Sequence, residues 1–182
     1  MNEKQLIDRV IGGDTSAFGY FVDQYQDLAV TIAFRLCGNR QDAEDIVQNA
    51  FVKAFHNLHT FRSTSKFSTW FYRIVYNTAI TEVRSRKMTY DVDNMQLAET
   101  SDTFVDWDAI QTIERKERES MLESAMQKMP PDESLLLSLY YLEENSVKEI
   151  ADIVGLTDSN IKVKLHRARK RLAALLEPVL QH

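Results

Sequence analysis

Only five glycines and three prolines punctuate the 182 residues. That is about a third of their usual share and too few for the many tight turns of a sandwich or barrel. A single cysteine, Cys37, excludes an internal disulfide and any two-cysteine metal or redox motif, and it suits a reducing cytoplasm. Apolar runs are short, as at Leu135–Leu137, and the N-terminus shows no basic-then-apolar leader, so neither membrane insertion nor export is expected. What is present is 44% hydrophobic residues, enough to exclude wholesale disorder and to fill the core of one large or two small domains. The composition points to an all-α chain.

The net charge of −5 is unevenly placed. Residues 1–61 carry −3, 62–87 carry +5, 88–113 carry −6, 114–157 carry −5 and 158–182 carry +4. Two basic islands therefore sit in an acidic protein. With a Debye length of about 8 Å at physiological salt, each island can hold phosphates despite the net charge, although the acidic surroundings weaken binding by the chain alone. That asymmetry suits a DNA reader working with a larger partner.

Helical periodicity organises the chain into two blocks and a linker. A short helix over 3–11 ends at Gly12-Gly13, and Asp14 is placed to cap a second run that reaches Leu36 before Gly38 stops it. A third run, Asp42 to Leu58, repeats Ala43, Ile46, Val47, Ala50, Phe51 and Ala54 on one face. A fourth, Ser68 to Lys87, places Trp70, Phe71, Ile74 and Thr78 together, with Trp70 and Phe71 expected in the bundle core, and carries the first basic island. Residues 88–107 lose periodicity, hold five acids and no base, and read as a linker. The second block, 108–182, opens with a helix marked by Ile110, Ile113, Leu122, Ala125 and Met129, which Pro130-Pro131 ends. Helices over 132–142, 147–154 and 158–177 follow. A modest core in each block and a long linker predict that the free chain samples many interdomain arrangements.

The last two helices carry the sharpest motif. Ser146 and Glu149 fit a capping box, Ala151 permits a close crossing, Gly155 suits a left-handed turn and Ile161 plugs the gap between the helices. This is the helix-turn-helix pattern. On the following helix Ile161, Leu165, Ala168 and Leu172 share one face, with Ser159, Val163, His166, Arg167 and Lys170 opposite and Lys162, Lys164, Arg169 and Arg171 on the flanks. Arg can place two hydrogen bonds on a guanine edge, Val can touch a thymine methyl and Lys can hold phosphates, so insertion into the major groove is expected.

The run SVKEIADIVGLTDSNIKVKLHRARKRLAALL, preceded by KMPPDESLLLSLYYLE, resembles the C-terminal promoter-reading domain of bacterial sigma factors. DAEDIVQNAFVKAF and FSTWFYRIVYNTAITEVRSRK resemble the two central segments of the sigma domain 2 bundle. The order, the spacing and the lack of further domains point to the short, two-domain extracytoplasmic-function group of the sigma-70 family. The resemblance implies docking of Asp45, Gln48, Asn49 and Val52 on the clamp helices of core RNA polymerase. Asn49 stands where relatives commonly carry an acid, which removes one expected salt bridge. It further implies recognition and melting of the −10 element by residues 1–87. Phe67, Tyr72 and Tyr76 are the aromatic candidates, beside Arg62, Lys66, Arg73, Arg84 and Arg86, with the 62–68 loop holding an extruded base. Tyr72 and Tyr76 are expected to face away from Trp70 and Ile74. The −35 element falls to Lys162, Val163, Lys164, His166, Arg167 and Lys170. Promoter DNA, core polymerase and an inhibitory anti-sigma factor are the implied partners, in the cytoplasm.

A promoter-specificity subunit without catalysis is the leading reading. The alternative is an autonomous helix-turn-helix regulator whose N-terminal bundle senses a ligand or dimerises. No catalytic residue, cofactor or metal is expected: His56 and His59 lack evident carboxylate co-ligands, and Cys37 lacks an identifiable base.

Overall fold

The computed structural model describes residues 2–87, 115–142 and 144–180, and every regular element among them is helical. The expected linker, 88–107, and the positions Asp108, Ile110 and Ile113 lie outside the described residues. The first block comprises α1 (Glu3–Ile11), α2 (Gly19–Cys37), α3 (Arg40–Asn57) and α4 (Phe67–Lys87), with single 3-10 turns at Thr15–Phe18 and Leu58–Thr60. The second comprises α5 (Arg115–Gln127), α6 (Pro131–Tyr141), α7 (Val147–Val154) and α8 (Asp158–Leu180).

Local chemistry sets the helix ends. Asn2 and Gln5 form a reciprocal capping box on α1. Asp14 does not cap α2 as expected: its carboxylate is taken by Arg9 at 2.5 Å and by the Ser16 hydroxyl at 2.6 Å. Gly38, at φ +81°, ends α2 in the left-handed conformation, and the Asn39 side chain then caps α3 by accepting from the Asp42 amide at 2.8 Å. Pro131 opens α6 where its missing N–H costs nothing.

The first core is built around aromatic rings. Phe21 meets Phe67 with centroids 4.3 Å apart, and Phe51 stacks on Phe71 at 4.4 Å. The buried line of α4 runs Phe67, Phe71, Tyr72, Val75, Thr78 and Ala79. Trp70, expected in the core with Phe71, sits instead at its margin, beside Ile74. The reason is that α4 is apolar around most of its circumference and is covered on two sides, by α2 and α3 and by α7.

The two blocks also pack against each other, with α2 on α6 and α4 on α7. Their buried apolar residues form one contiguous cluster. This differs from the expectation of freely tumbling blocks: once α4 and α2 have covered α3, each still presents an apolar flank, and the second block buries it. Arg35 lies in that seam, its side chain 6% exposed, bound to Glu123 by two hydrogen bonds of 2.9 and 2.6 Å and to Ser138 Oγ at 3.2 Å.

Candidate polymerase and nucleic-acid interfaces

On α3 the face opposite the buried Ala43, Ile46, Val47, Ala50, Phe51 and Ala54 presents Asp45, Gln48, Asn49 and Val52. The offsets of three, four and seven place them on one stripe. All four are exposed, and Val52 at 56% is an apolar contact point in a polar row. Beside this stripe a polar cleft of about 250 Å³ is lined by Asp42, Asp45, Gln48, Asn49, Glu82 and Arg86. Arg86 binds the Asp42 carboxylate and lies 3.5 Å from Glu82. That contact, with Asn39 second, holds Asp42 below the ordinary carboxylate range. Arg86, expected among the −10 cations, is thus tied to the α3 side of the bundle by opposite charge.

The remaining −10 candidates divide by burial. Arg62, Arg73 and Arg84 are exposed. Phe67 is 2% and Tyr72 5% exposed, so neither ring is offered to a base: Phe67 packs on Phe21 and Tyr25, and Tyr72 meets Tyr25 edge-on at 5.9 Å. A hydrophobic helix covered on two sides leaves no exposed face at these positions. Tyr76 is half-buried, and burial raises its hydroxyl above the ordinary value, with Asp132 adding to the rise while Arg84 and Lys164 oppose it. Lys66 is exposed but pairs at 2.7 Å with Glu149 of α7. Trp70, assigned to the bundle core from the sequence, is partly exposed and lines a groove of about 360 Å³ with Ile74, Asn77, Lys53 and Asn57. Sequence reasoning passed over Arg35, although a lone cation on the Leu28-Ile32 stripe of α2 is a legible signal.

In the second block the helix-turn-helix geometry follows its motif. Glu149 and Ser146 exchange the capping hydrogen bonds, Gly155 takes φ +72°, and Ile150, Ile153 and Ile161 are fully buried. Glu149 is held at about 2 by the Lys66 ammonium first and by the Ser146 amide next. On α8, Ile161, Leu165, Ala168 and Leu172 are buried. Lys162, Val163, His166 and Arg167 are exposed on the other side, Val163 at 49%. The flanks are less free than the wheel implies: Lys164 pairs with Asp132 at 2.9 Å, Arg171 with Glu133 at 2.8 Å, and Arg169 lies over the Tyr140 and Tyr141 rings at 5.1 and 5.5 Å. These contacts relieve like-charge repulsion along α8 and leave Lys162 and Arg167 exposed on it. Lys170 is half-buried.

Residues 21–89 match the family Sigma-70 region 2, and residues 119–172 match Sigma-70, region 4. Over 93% of its length the chain is 32% identical to the ECF RNA polymerase sigma factor SigW of Bacillus subtilis, covering 94% of that protein. The chain belongs to the extracytoplasmic-function group of the sigma-70 family. It is accordingly a promoter-specificity subunit of bacterial RNA polymerase. The RNA polymerase sigma-H factor of Pseudomonas aeruginosa is another relative, 32% identical over 98% of the chain and 96% of that protein. Two solved structures share the fold. CnrH, in complex with the cytosolic domain of CnrY, superposes with a TM-score of 0.68 at 23% identity, over 97% of either chain. RpoE of Bartonella quintana, with the anti-sigma factor NepR, gives 0.65 at 20% identity, over 88% of this chain and 96% of that one. Among the described residues no helix is long and apolar enough to cross a membrane, and no group of three metal-ligating side chains converges.

Proposed function

We propose that this sigma factor divides its work between residues 1–87 and residues 108–182, with 88–107 as the tether, and that it acts in the cytoplasm without catalysis of its own. The exposed row Asp45, Gln48, Asn49 and Val52 docks on core polymerase, where charge and one apolar contact replace water. Asp42, Arg86 and Glu82 border that row.

Arg62, Lys66, Arg73 and Arg84 then hold the backbone of the opened −10 strand. Tyr76 and Trp70 take the stacking role first ascribed to Phe67 and Tyr72, since a platform has to show a face to the base. Each base stacked in this way recovers about 1–3 kcal/mol of the cost of unstacking. On the −35 duplex, α8 enters the major groove with Val163, His166 and Arg167 toward base edges and Lys162, Lys164 and Lys170 toward phosphates. An anti-sigma factor is the expected inhibitory partner, as two solved relatives are held by such proteins or by a cytosolic domain.

The observation that carries this reading is α8 itself: a fully buried apolar stripe backed by an exposed row of Lys162, Val163, His166 and Arg167 beyond a capped helix and a left-handed glycine. The test is transcription in vitro with purified core polymerase on a genomic fragment library, with start sites mapped. Selective starts sharing two sequence elements are expected. Failure of core polymerase to bind the chain, or starts no more selective than with core alone, would remove it.

A further inference from the structure

The last turn of α4 carries Arg84 and Arg86, two cations that charge counting assigns alike to the −10 strand. Two helical steps of about 100° set them roughly 200° apart around the axis. Arg84 is exposed and within electrostatic reach of Tyr76. Arg86 turns instead to α3: its guanidinium donates to the Asp42 carboxylate and lies 3.5 Å from Glu82. The Asp42 side chain is only 21% exposed and also accepts from the Asn39 side-chain amide, while the Asp42 backbone amide donates to Asn39 Oδ1 at 2.8 Å. The carboxylate thus belongs to a network that joins Arg86, Asn39 and the first turn of α3, and such a network holds its members more firmly than a lone surface pair. Asp45 lines the same cleft, is exposed and has no ion pair among the described residues.

We propose that Arg86 is a positioning residue for polymerase docking and not a contact to −10 DNA: by holding Asp42 and Glu82 it fixes the N-terminal turn of α3 and leaves Asp45 open to a cation of core polymerase. The inference rests on the proposed docking row, which begins at Asp45, three residues beyond Asp42. Charge and placement carry it. Asp42, Asp45 and Glu82 surround one cleft of about 250 Å³, and three like charges there repel one another unless a cation sits among them. Arg86 reaches two of the three from the neighbouring helix, so the direction in which the row faces is set by a bond between α3 and α4. A cation in the last turn of α4 also suits the negative end of that helix. The two arginines therefore serve different partners, Arg84 the nucleic acid and Arg86 the docking helix.

The test uses the full chain and purified core polymerase. Arg86→Glu replaces the bond by repulsion, and core affinity, read by fluorescence anisotropy of the labelled chain, should fall about tenfold, a coupling usual within one charged network. Arg86→Gln removes the charge alone, should lose about threefold, and serves if Arg86→Glu does not fold. Circular dichroism melting checks that each variant is folded. A bulk-charge effect predicts the opposite sign, because a more acidic face would attract a cation of the polymerase more strongly. The double variant Arg86→Glu with Asp42→Arg exchanges the partners and keeps the parent's net charge. It should recover core affinity to within about twofold of the parent. At saturating core polymerase it should also initiate like the parent, although position 86 no longer holds a cation. Folded single variants with the parent's core affinity, or a double variant no better than Arg86→Glu, would overturn the positioning role. A double variant that binds core polymerase normally but fails to open promoters would overturn it too, by assigning Arg86 to DNA. Unchanged core affinity in Asp45→Arg would strike the docking row itself. Loss in Asp45→Arg beside unaffected Arg86 variants would strike this inference alone.

Discussion

Arg167 stands at the exposed centre of α8, two positions beyond the buried Leu165, where a side chain can reach a base edge without leaving its helix. Replacement by alanine is expected to weaken promoter-specific initiation by about 1–3 kcal/mol if the guanidinium reads a guanine. Comparing cognate promoters with versions mutated one base at a time locates that base; an equal loss on every promoter would assign Arg167 to phosphate instead. Asp45 is the matching residue on the proposed polymerase-docking row. Asp45→Arg should impair association with core polymerase, read by native gel or fluorescence binding, while the melting temperature stays that of the parent, because the side chain lies on the exposed stripe of α3. Unchanged core affinity would remove Asp45 from the docking surface.

At the scale of the element, α7 shows one carboxylate serving two purposes. Glu149 closes the capping box with Ser146 and also receives the Lys66 ammonium. Both contacts favour the charged form, which lowers its pKa from the ordinary 4.5 to about 2. A depressed carboxylate contributes stability that is fully present above its unfolded value, so the contribution holds above about pH 4.5 and is lost as the pH falls through about 2. Urea unfolding of the parent should therefore show falling stability across that window. Glu149→Gln, which keeps the shape but not the charge, should be less stable than the parent above pH 4.5, with the gap closing toward pH 2. A constant gap across that range would show that charge has no part in the cap. The same helix needs its cap because eight residues are too few to persist alone.

For the whole molecule, the contiguous core makes the two blocks one energetic unit as long as the seam is closed. Leu139, fully buried on α6, and Phe71, fully buried on α4, belong to the same cluster. Alanine at either is expected to cost about 2–5 kcal/mol. Native-state hydrogen exchange should then show faster global opening in both blocks and not only in the mutated one. Full protection of the α3 amides in Leu139→Ala would mean that the seam shares surface without sharing stability.

The helices, their order and their caps are written in local pattern, because helix formation depends on residues three and four apart and on the few side chains that satisfy terminal amides. Hence the Ser146-Glu149 box, the glycine stops and the buried line Ile161-Leu165-Ala168-Leu172 are visible in the sequence alone, as is the exposed row from Asp45 to Val52. Periodicity ranks the faces of a helix by hydropathy but does not say how many neighbours will cover it. For α4, apolar on nearly every side, only packing could decide that Phe67 and Tyr72 go in while Trp70 stays at the edge. Charge counting likewise assigns Arg86, Lys164, Arg169 and Arg171 to an exposed cationic surface. Their partners Asp42, Asp132, Tyr140 and Glu133 are 44, 32, 29 and 38 positions away in the chain and come within reach only in the folded bundle. Arg35 is the extreme case: a partner 88 residues distant turns an apparently misplaced cation into the bond between the blocks.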